Sequence, residues 1–226
     1  MRQSRRYLET KKLIDKDKLY SMKEAIEILK SAPPVKFDQT LELSCKLSVD
    51  PKQSEQMVRG SVVLSHGTGK KIKILVFCEP EKEQEAVNSG ADYAGSQELI
   101  DKISKENWLD FDCCIATPSM MKFVSKLGKI LGPRGLMPSP KTQTVTENIS
   151  YAIKEVKQGK IDFRMDKLGC IHIGLGKISM SSQALSENVR VFLDALINSK
   201  PAAVKGDFIK SVCLSATMSP SLRVQL

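Results

Sequence analysis

A chain of 226 residues, 41% hydrophobic and 27% charged, can bury a core in one or two domains; no apolar run approaches the ~18 residues of a membrane span, which excludes a transmembrane protein. The net charge of +9 favours anionic partners. Six cysteines without CxxC or paired-loop spacing, and two histidines, His66 and His172, predict free thiols in a reducing cytoplasm rather than disulfides, a metal site or a cofactor.

The first residues are charged at once and lack the apolar core of a signal peptide, so no secretory leader is expected. Residues 1–20 carry Arg2, Arg5, Arg6, Lys11 and Lys12, either an arm that touches RNA backbone or a frayed terminus. Ser21-Met-Lys-Glu24 has capping-box spacing, and Ala25, Ile26, Ile28 and Leu29 give the helix after it an apolar face that Pro33-Pro34 ends. Residues 41–49 then alternate: Leu41, Leu43, Cys45, Leu47 and Val49 on one side, Glu42, Ser44, Lys46 and Ser48 on the other. That is a strand with one buried and one solvated face, as in antiparallel sheets. Asp50-Pro51 turns the chain, and residues 60–64 can form the next strand.

After residues 66–69 the character changes. Residues 72–78 and 113–116 are almost continuously apolar, as in strands buried on both faces of a parallel sheet. Helical patterns over 81–89 and 96–105 stand between them, which indicates a βαβ layer structure. Further helices are predicted over 118–127 and 146–158, the latter ending at Gly159. The alternation then returns, with Ile161, Phe163 and Met165 inward and Asp162, Arg164 and Asp166 outward. Ile171, Ile173 and Leu175 repeat it with His172 outward, and residues 183–199 form an amphipathic helix. Residues 208–216 are the final strand.

The two half-buried strand regions share one style and the middle region has another. The expected fold is therefore an α+β terminal domain (1–67 with 160–226, a half-buried sheet with helices) interrupted by an inserted three-layer α/β domain of Rossmann-like type (68–159). Gly67, Gly69 and Gly159 stand at the crossings as candidate hinges.

Charge is distributed unevenly. Residues 79–112 hold ten acidic and three basic residues, so the basic surplus lies on both sides of an acidic block. This favours a nucleic-acid partner over a membrane, because no basic amphipathic helix with an aromatic face occurs. An enzyme is not indicated. Gly67-Thr-Gly-Lys-Lys71 lacks the first glycine and the Ser/Thr of a phosphate loop, and Gly174-Leu-Gly176 lacks the third glycine of a dinucleotide fingerprint. Neither GxSxG nor HExxH is present, and no catalytic residue is expected.

The most informative stretch is residues 126–141, Lys-Leu-Gly-Lys-Ile-Leu-Gly-Pro-Arg-Gly-Leu-Met-Pro-Ser-Pro-Lys. It has no acidic residue, and its glycines and prolines shape the second half into a loop that presents Arg134 in a tight turn. From the residues alone it is either a site for a polyanion or a solvated basic loop. With Lys126, Gly128, Gly132, Pro133, Arg134, Gly135 and Pro138 in place, it closely resembles the signature of the large-subunit ribosomal proteins of the universal L-one family, bacterial type. Further landmarks in family order are Lys36-Phe-Asp-Gln-Thr40, Asp50-Pro51, Val58-Arg-Gly60, Gly90-Ala-Asp-Tyr93, Asp166-Lys-Leu-Gly169, Lys200-Pro201 and Lys205-Gly206.

The resemblance implies a two-domain ribosomal protein, monomeric outside the ribosome, whose terminal domain binds large-subunit rRNA. It implies a place in the mobile stalk beside the tRNA exit site, help in releasing deacylated tRNA, and repression of the chain's own operon mRNA. Carried over position by position, the rRNA contacts fall on Lys36, Phe37, Thr40, Glu42, Arg164, Asp166, Lys167, Gly169, His172, Ser211, Thr217 and Met218. Lysine and arginine would hold phosphates, while hydroxyls and carboxylates would read 2′-OH groups and base edges. Phe37 also suits core packing, and His172 also suits a plain surface position. The family has Thr-Met-Gly where this chain has Thr217-Met218-Ser219. The signature loop itself suits either interdomain packing or tRNA contact. Two rival readings stay open: a protein acting mainly as an mRNA repressor, and an α/β enzyme acting on RNA.

Overall fold

The computed structural model describes residues 4–15, 18–33, 35–204 and 206–225; Arg2, Pro34 and Lys205, named above, lie outside them. The fold is mixed α/β. In chain order the main elements are α1 (Arg5–Lys12), α2 (Met22–Ser31), β1 (Thr40–Leu47), β2 (Arg59–Val63), β3 (Ile74–Phe77), α3 (Pro80–Asn88), β4 (Tyr93–Gly95), α4 (Gln97–Glu106) and β5 (Cys113–Ala116). Then follow α5 (Met121–Val124), α6 (Gly128–Leu131), α7 (Ile149–Gln158), β6 (Lys160–Arg164), β7 (Cys170–Lys177), α8 (Ser182–Asn198), β8 (Ile209–Ala216) and β9 (Leu222–Val224). Two compact units result, one of Met1–Lys70 with Ile161–Leu226, the other of Lys71–Lys160.

The first unit is built on an antiparallel sheet of order β7-β1-β8-β9, with β2 and β6 paired separately. The alternation of β1 sends Leu41, Leu43, Cys45 and Leu47 into a core shared with α2 and α8. Helix α2 starts at a reciprocal cap, in which the Ser21 hydroxyl accepts from Glu24 N–H at 3.3 Å and the Glu24 carboxylate accepts from Ser21 N–H at 3.2 Å. Such caps contribute roughly 1 kcal/mol. Phe192 of α8, fully buried, meets Phe163 edge-on with centroids 5.5 Å apart; burying a side chain of that size stabilises by roughly 1.5–3 kcal/mol. Gly60 lies against the same ring, and a Cβ there would stand 2.8 Å from Phe163 Cζ.

The second unit has a parallel sheet of order β4-β3-β5. Every residue of β3 is fully buried, which is why its sequence runs apolar without alternation. Leu75, Phe77 and Cys114 pack with Ile100, Ile103, Val124 and Leu131, while Ile74, Val76 and Ile115 pack with Ala86, Ile149, Ile153 and Val156. Helices thus cover both faces of the sheet. Burial pushes the Cys78 thiol up to about 11 and the Cys114 thiol well above its ordinary range.

Four sequence expectations are corrected. The N-terminal segment is not frayed over 5–12 but forms helix α1, capped by the Ser4 hydroxyl, which accepts from Tyr7 N–H. The helix expected over 118–127 begins at Met121, because 118–120 form a turn with Met120 N–H on Thr117 O. It runs through a 3-10 turn into α6, so the signature stretch opens helically. Helix α7 begins at Ile149 rather than at 146, because Thr146 N–H still bonds Ala116 O beside β5 and Asn148 supplies the cap. Residues 208–216 are not the last strand: three-residue β9 adds to the edge of β8.

Gly67, Gly69 and Gly159 all have positive φ, 63°, 69° and 104°. At Gly159 this conformation closes α7, with its N–H on Glu155 O and Val156 O, a left-handed cap that glycine adopts without a Cβ clash.

Candidate nucleic-acid interface

Helices α2 and α8 cover one side of the four-stranded sheet, and the other side is a polar surface organised by β1. The registers place Lys46 between Cys170 and Ser211, Ser44 between His172 and Cys213, and Glu42 between Gly174 and Ser215. Neighbouring side chains in such rows stand roughly 4.5–5.5 Å apart. Arg223 of β9 extends the middle row beyond Cys213, and Lys210, Ser211 and Arg223 line an open groove of about 420 Å³ along the edge. Hydroxyls, an imidazole, a carboxylate and cations therefore lie side by side on one antiparallel surface.

At one end of this surface stand Lys36, Phe37, Thr40, Thr217 and Met218. Gln39, buried, donates from Nε2 to Thr217 O at 2.7 Å and so ties the approach to β1 to the exit from β8. The Thr217 hydroxyl accepts from Thr40 N–H at 3.1 Å and donates to Thr40 O at 3.3 Å. Phe37 is 47% exposed, so it is not a core residue. Met218 is 70% exposed and has φ +61°, a left-handed conformation unusual for a side chain of this kind. The positive φ falls on Met218 and not on Ser219.

That bend is held from α1. Arg6 donates from Nη1 to Met218 O at 3.1 Å, from Nη2 to Ser219 Oγ at 3.1 Å and from Nε to Pro33 O at 2.9 Å. Nothing in the sequence distinguished Arg6 from the other cations of its segment.

At the other end the chain reverses between β6 and β7. Asp166 Oδ1 accepts from Leu168 N–H at 2.8 Å and Cys170 N–H at 2.7 Å. The Cys170 N–H above all, against partial burial and with help from Leu168 N–H, holds this carboxyl below the usual range. Gly169, buried with φ +75°, completes the turn, and its carbonyl accepts from Leu47 N–H at 2.9 Å. Lys167 is exposed, and Lys46 Nζ bonds Leu168 O. Leu168 stands 72% exposed at the tip, an apolar prominence that sequence reasoning did not single out. His172, on the open face, accepts or donates at Nδ1 with Ser44 Oγ at 3.0 Å. Arg164 is exposed on β6, outside the four-stranded sheet.

The signature loop belongs to the other unit. Gly132, Gly135 and Pro138 are architectural there. A Cβ on Gly132 would lie 2.5 Å from Gly128 O, Gly135 has φ +71°, and Pro138 is buried. Lys126, Lys129, Pro133, Arg134 and Lys141 are exposed.

The chain matches the family model described as Ribosomal protein L1p/L10e family over residues 28–220. It is 53% identical over 225 residues to the large ribosomal subunit protein uL1 of Protochlamydia amoebophila (strain UWE25), covering 100% of this chain and 95% of that protein.

Proposed function

This chain belongs to the Ribosomal protein L1p/L10e family, and from that premise we propose that it binds large-subunit rRNA through the open sheet face of its discontinuous unit. The family is one of ribosomal proteins, structural rather than catalytic, so the place of work is the cytoplasmic ribosome. Among the described residues no helix is long and apolar enough to cross a membrane.

The observation that carries this reading is the pairing of a polar sheet face with exposed apolar side chains at its ends: Phe37 and Met218 at one, Leu168 at the other. Folded RNA offers matching groups, namely phosphates for Lys36, Lys167 and Arg164, riboses and base edges for Glu42, His172 and Ser211, and unstacked bases for the apolar tips. Glu42 argues for specific readout, since a purely electrostatic surface would exclude a carboxylate. Asp166, Gly169 and Thr217 contribute mainly by shaping the two ends.

In finer terms, the chain forms the mobile stalk near the tRNA exit site and assists release of deacylated tRNA, with Gly67, Gly69 and Gly159 as hinges and the exposed cations of the signature loop as the tRNA-facing group. The same sheet face would take an operon mRNA segment that reproduces the rRNA fold, and so repress translation. The test is co-sedimentation with large subunits through a high-salt wash, beside titration of stalk rRNA and of a random duplex of equal length. Retention on subunits and at least a hundredfold preference for the stalk rRNA are expected. Equal affinity for the two RNAs would refute specific recognition, and loss from subunits with tight mRNA binding would favour a repressor acting alone. A chain in which 1–67 is joined directly to 160–226 should fold and keep the rRNA affinity.

A further inference from the structure

The turn between β6 and β7 gathers three different metal-binding side chains. Asp166, Cys170 and His172 each offer one donor atom, and these atoms all lie within 4.8 Å of one another. Their spacing in sequence gave no hint of this, since it is neither CxxC nor a histidine pair. The geometry comes from the fold: Asp166 N–H bonds Cys170 O at 2.8 Å to close the turn, and the alternation of β7 puts 170 and 172 on one face.

We propose that Asp166, Cys170 and His172 form a zinc site, with water as the fourth ligand. Zn²⁺ takes imidazole nitrogen and carboxylate oxygen at about 2.0–2.2 Å and thiolate sulfur at about 2.3 Å, so donors around one tetrahedral ion stand roughly 3.3–3.6 Å apart. His172 Nε2 and Asp166 Oδ2 are 3.7 Å apart. Each is already aimed. Asp166 Oδ1 is held by two backbone N–H groups, which leaves Oδ2 toward the histidine, and Ser44 Oγ engages His172 Nδ1, which leaves Nε2 toward the carboxylate. Outer contacts of this sort fix the orientation of metal ligands. A thiolate with an imidazole selects zinc over the hard cations Mg²⁺ and Ca²⁺, which take oxygen ligands. The half-exposed setting leaves the fourth position open to water. On binding, the Cys170 thiol releases its proton to solvent and coordinates as thiolate. The site stands on these residues alone; because zinc would take His172 Nε2, His172 meets a ribose or base edge only in the metal-free chain.

Co²⁺ is the probe, because a cobalt–thiolate bond gives a near-ultraviolet charge-transfer band. The full-length chain should take up one equivalent with that band, and one equivalent of Zn²⁺ should abolish it. Cys170→Ser should remove the band, His172→Gln should weaken Zn²⁺ binding by about tenfold or more, and Ser44→Ala by about tenfold. Cys213→Ser, on β8, should change neither. His172 is exposed, so its variant stays folded even if Cys170→Ser does not, and circular dichroism checks both. A wild-type chain without the band, or a band and affinity undiminished in the folded Cys170→Ser or His172→Gln chains, overturns the proposal.

Discussion

Thr217 closes on the backbone of Thr40 from both directions, its hydroxyl accepting from Thr40 N–H at 3.1 Å and donating to Thr40 O at 3.3 Å. The two residues sit where β1 begins and β8 ends, beside the exposed Met218. The hydroxyl that sequence reasoning assigns to RNA is therefore already occupied within the protein.

Thr217→Val should accordingly act first on structure. It leaves Thr40 N–H without its partner, a loss of about 1–3 kcal/mol. The Thr40 amide should exchange with solvent faster, and Thr217→Ser should restore its protection. Cognate RNA should weaken through the loosened Met218 bend, with no change in salt slope. An unaltered exchange rate at Thr40 would show that the hydroxyl bonds contribute nothing.

Arg6→Ala should release α1. Its guanidinium spans Pro33, Met218 and Ser219, a fork that lysine cannot reproduce, so Arg6→Lys should behave like alanine. A loss of roughly 1 kcal/mol is expected for these partly exposed bonds. Trypsin should then cut at Lys11 or Lys12 several-fold faster than in the wild type. Equal cutting rates in all three proteins would mean that Arg6 does not anchor the helix.

How far the sequence reaches is clear from particular elements. β1 was legible because its period of two is a direct imprint of one covered and one open face. β3 was legible for the opposite reason, being covered on both sides. β9 was not: three residues carry no period, and only the edge of β8 gives them a partner. Of the interface, the family positions were legible as residues but not as geometry. Composition does not reveal that Asp166 faces its own turn, that Leu168 stands out at its tip, or that Arg6 reaches residues 218 and 219. Those relations join chain segments through tertiary contacts, which local pattern does not encode.

Neighbouring Lys36 and Phe37 should separate charge from stacking. Lys36→Ala removes one phosphate contact, so affinity for stalk rRNA and for random duplex should both fall and the salt slope should drop by about 1. Phe37→Ala should cost about 1–3 kcal/mol on the stalk rRNA alone if a base stacks there, with the slope unchanged. Because Phe37 is 47% exposed, stability should stay within about 0.5 kcal/mol. Loss of binding to the random duplex on Phe37→Ala would contradict a stacking role.

The last prediction concerns Glu155 and Lys160, an ion pair at 2.8 Å whose side chains are only 16% and 5% exposed. Burial raises the Glu155 pKa, but hydrogen bonds from Lys160 and Tyr151 outweigh it and hold the carboxyl below its ordinary value. A depressed carboxylate adds stability above its unfolded pKa, about 4.3, and that contribution is lost as pH falls through the lower folded value. Glu155→Gln leaves the Lys160 ammonium buried without its counter-charge, so at pH 7 it should destabilise the second unit by about 1–3 kcal/mol. The single tryptophan, Trp108, lies in that unit, packed against Tyr93 with centroids 4.7 Å apart, so its fluorescence in urea reports the relevant unfolding. Below about pH 4 the wild-type and Glu155→Gln curves should converge, since the wild-type carboxyl is then losing its charge as well. Glu155→Gln with Lys160→Met should recover much of the loss at pH 7, because an apolar pair of similar volume has no charge to desolvate. Equal stability of wild type and Glu155→Gln at pH 7 would mean that the pair is solvated and contributes nothing to the fold.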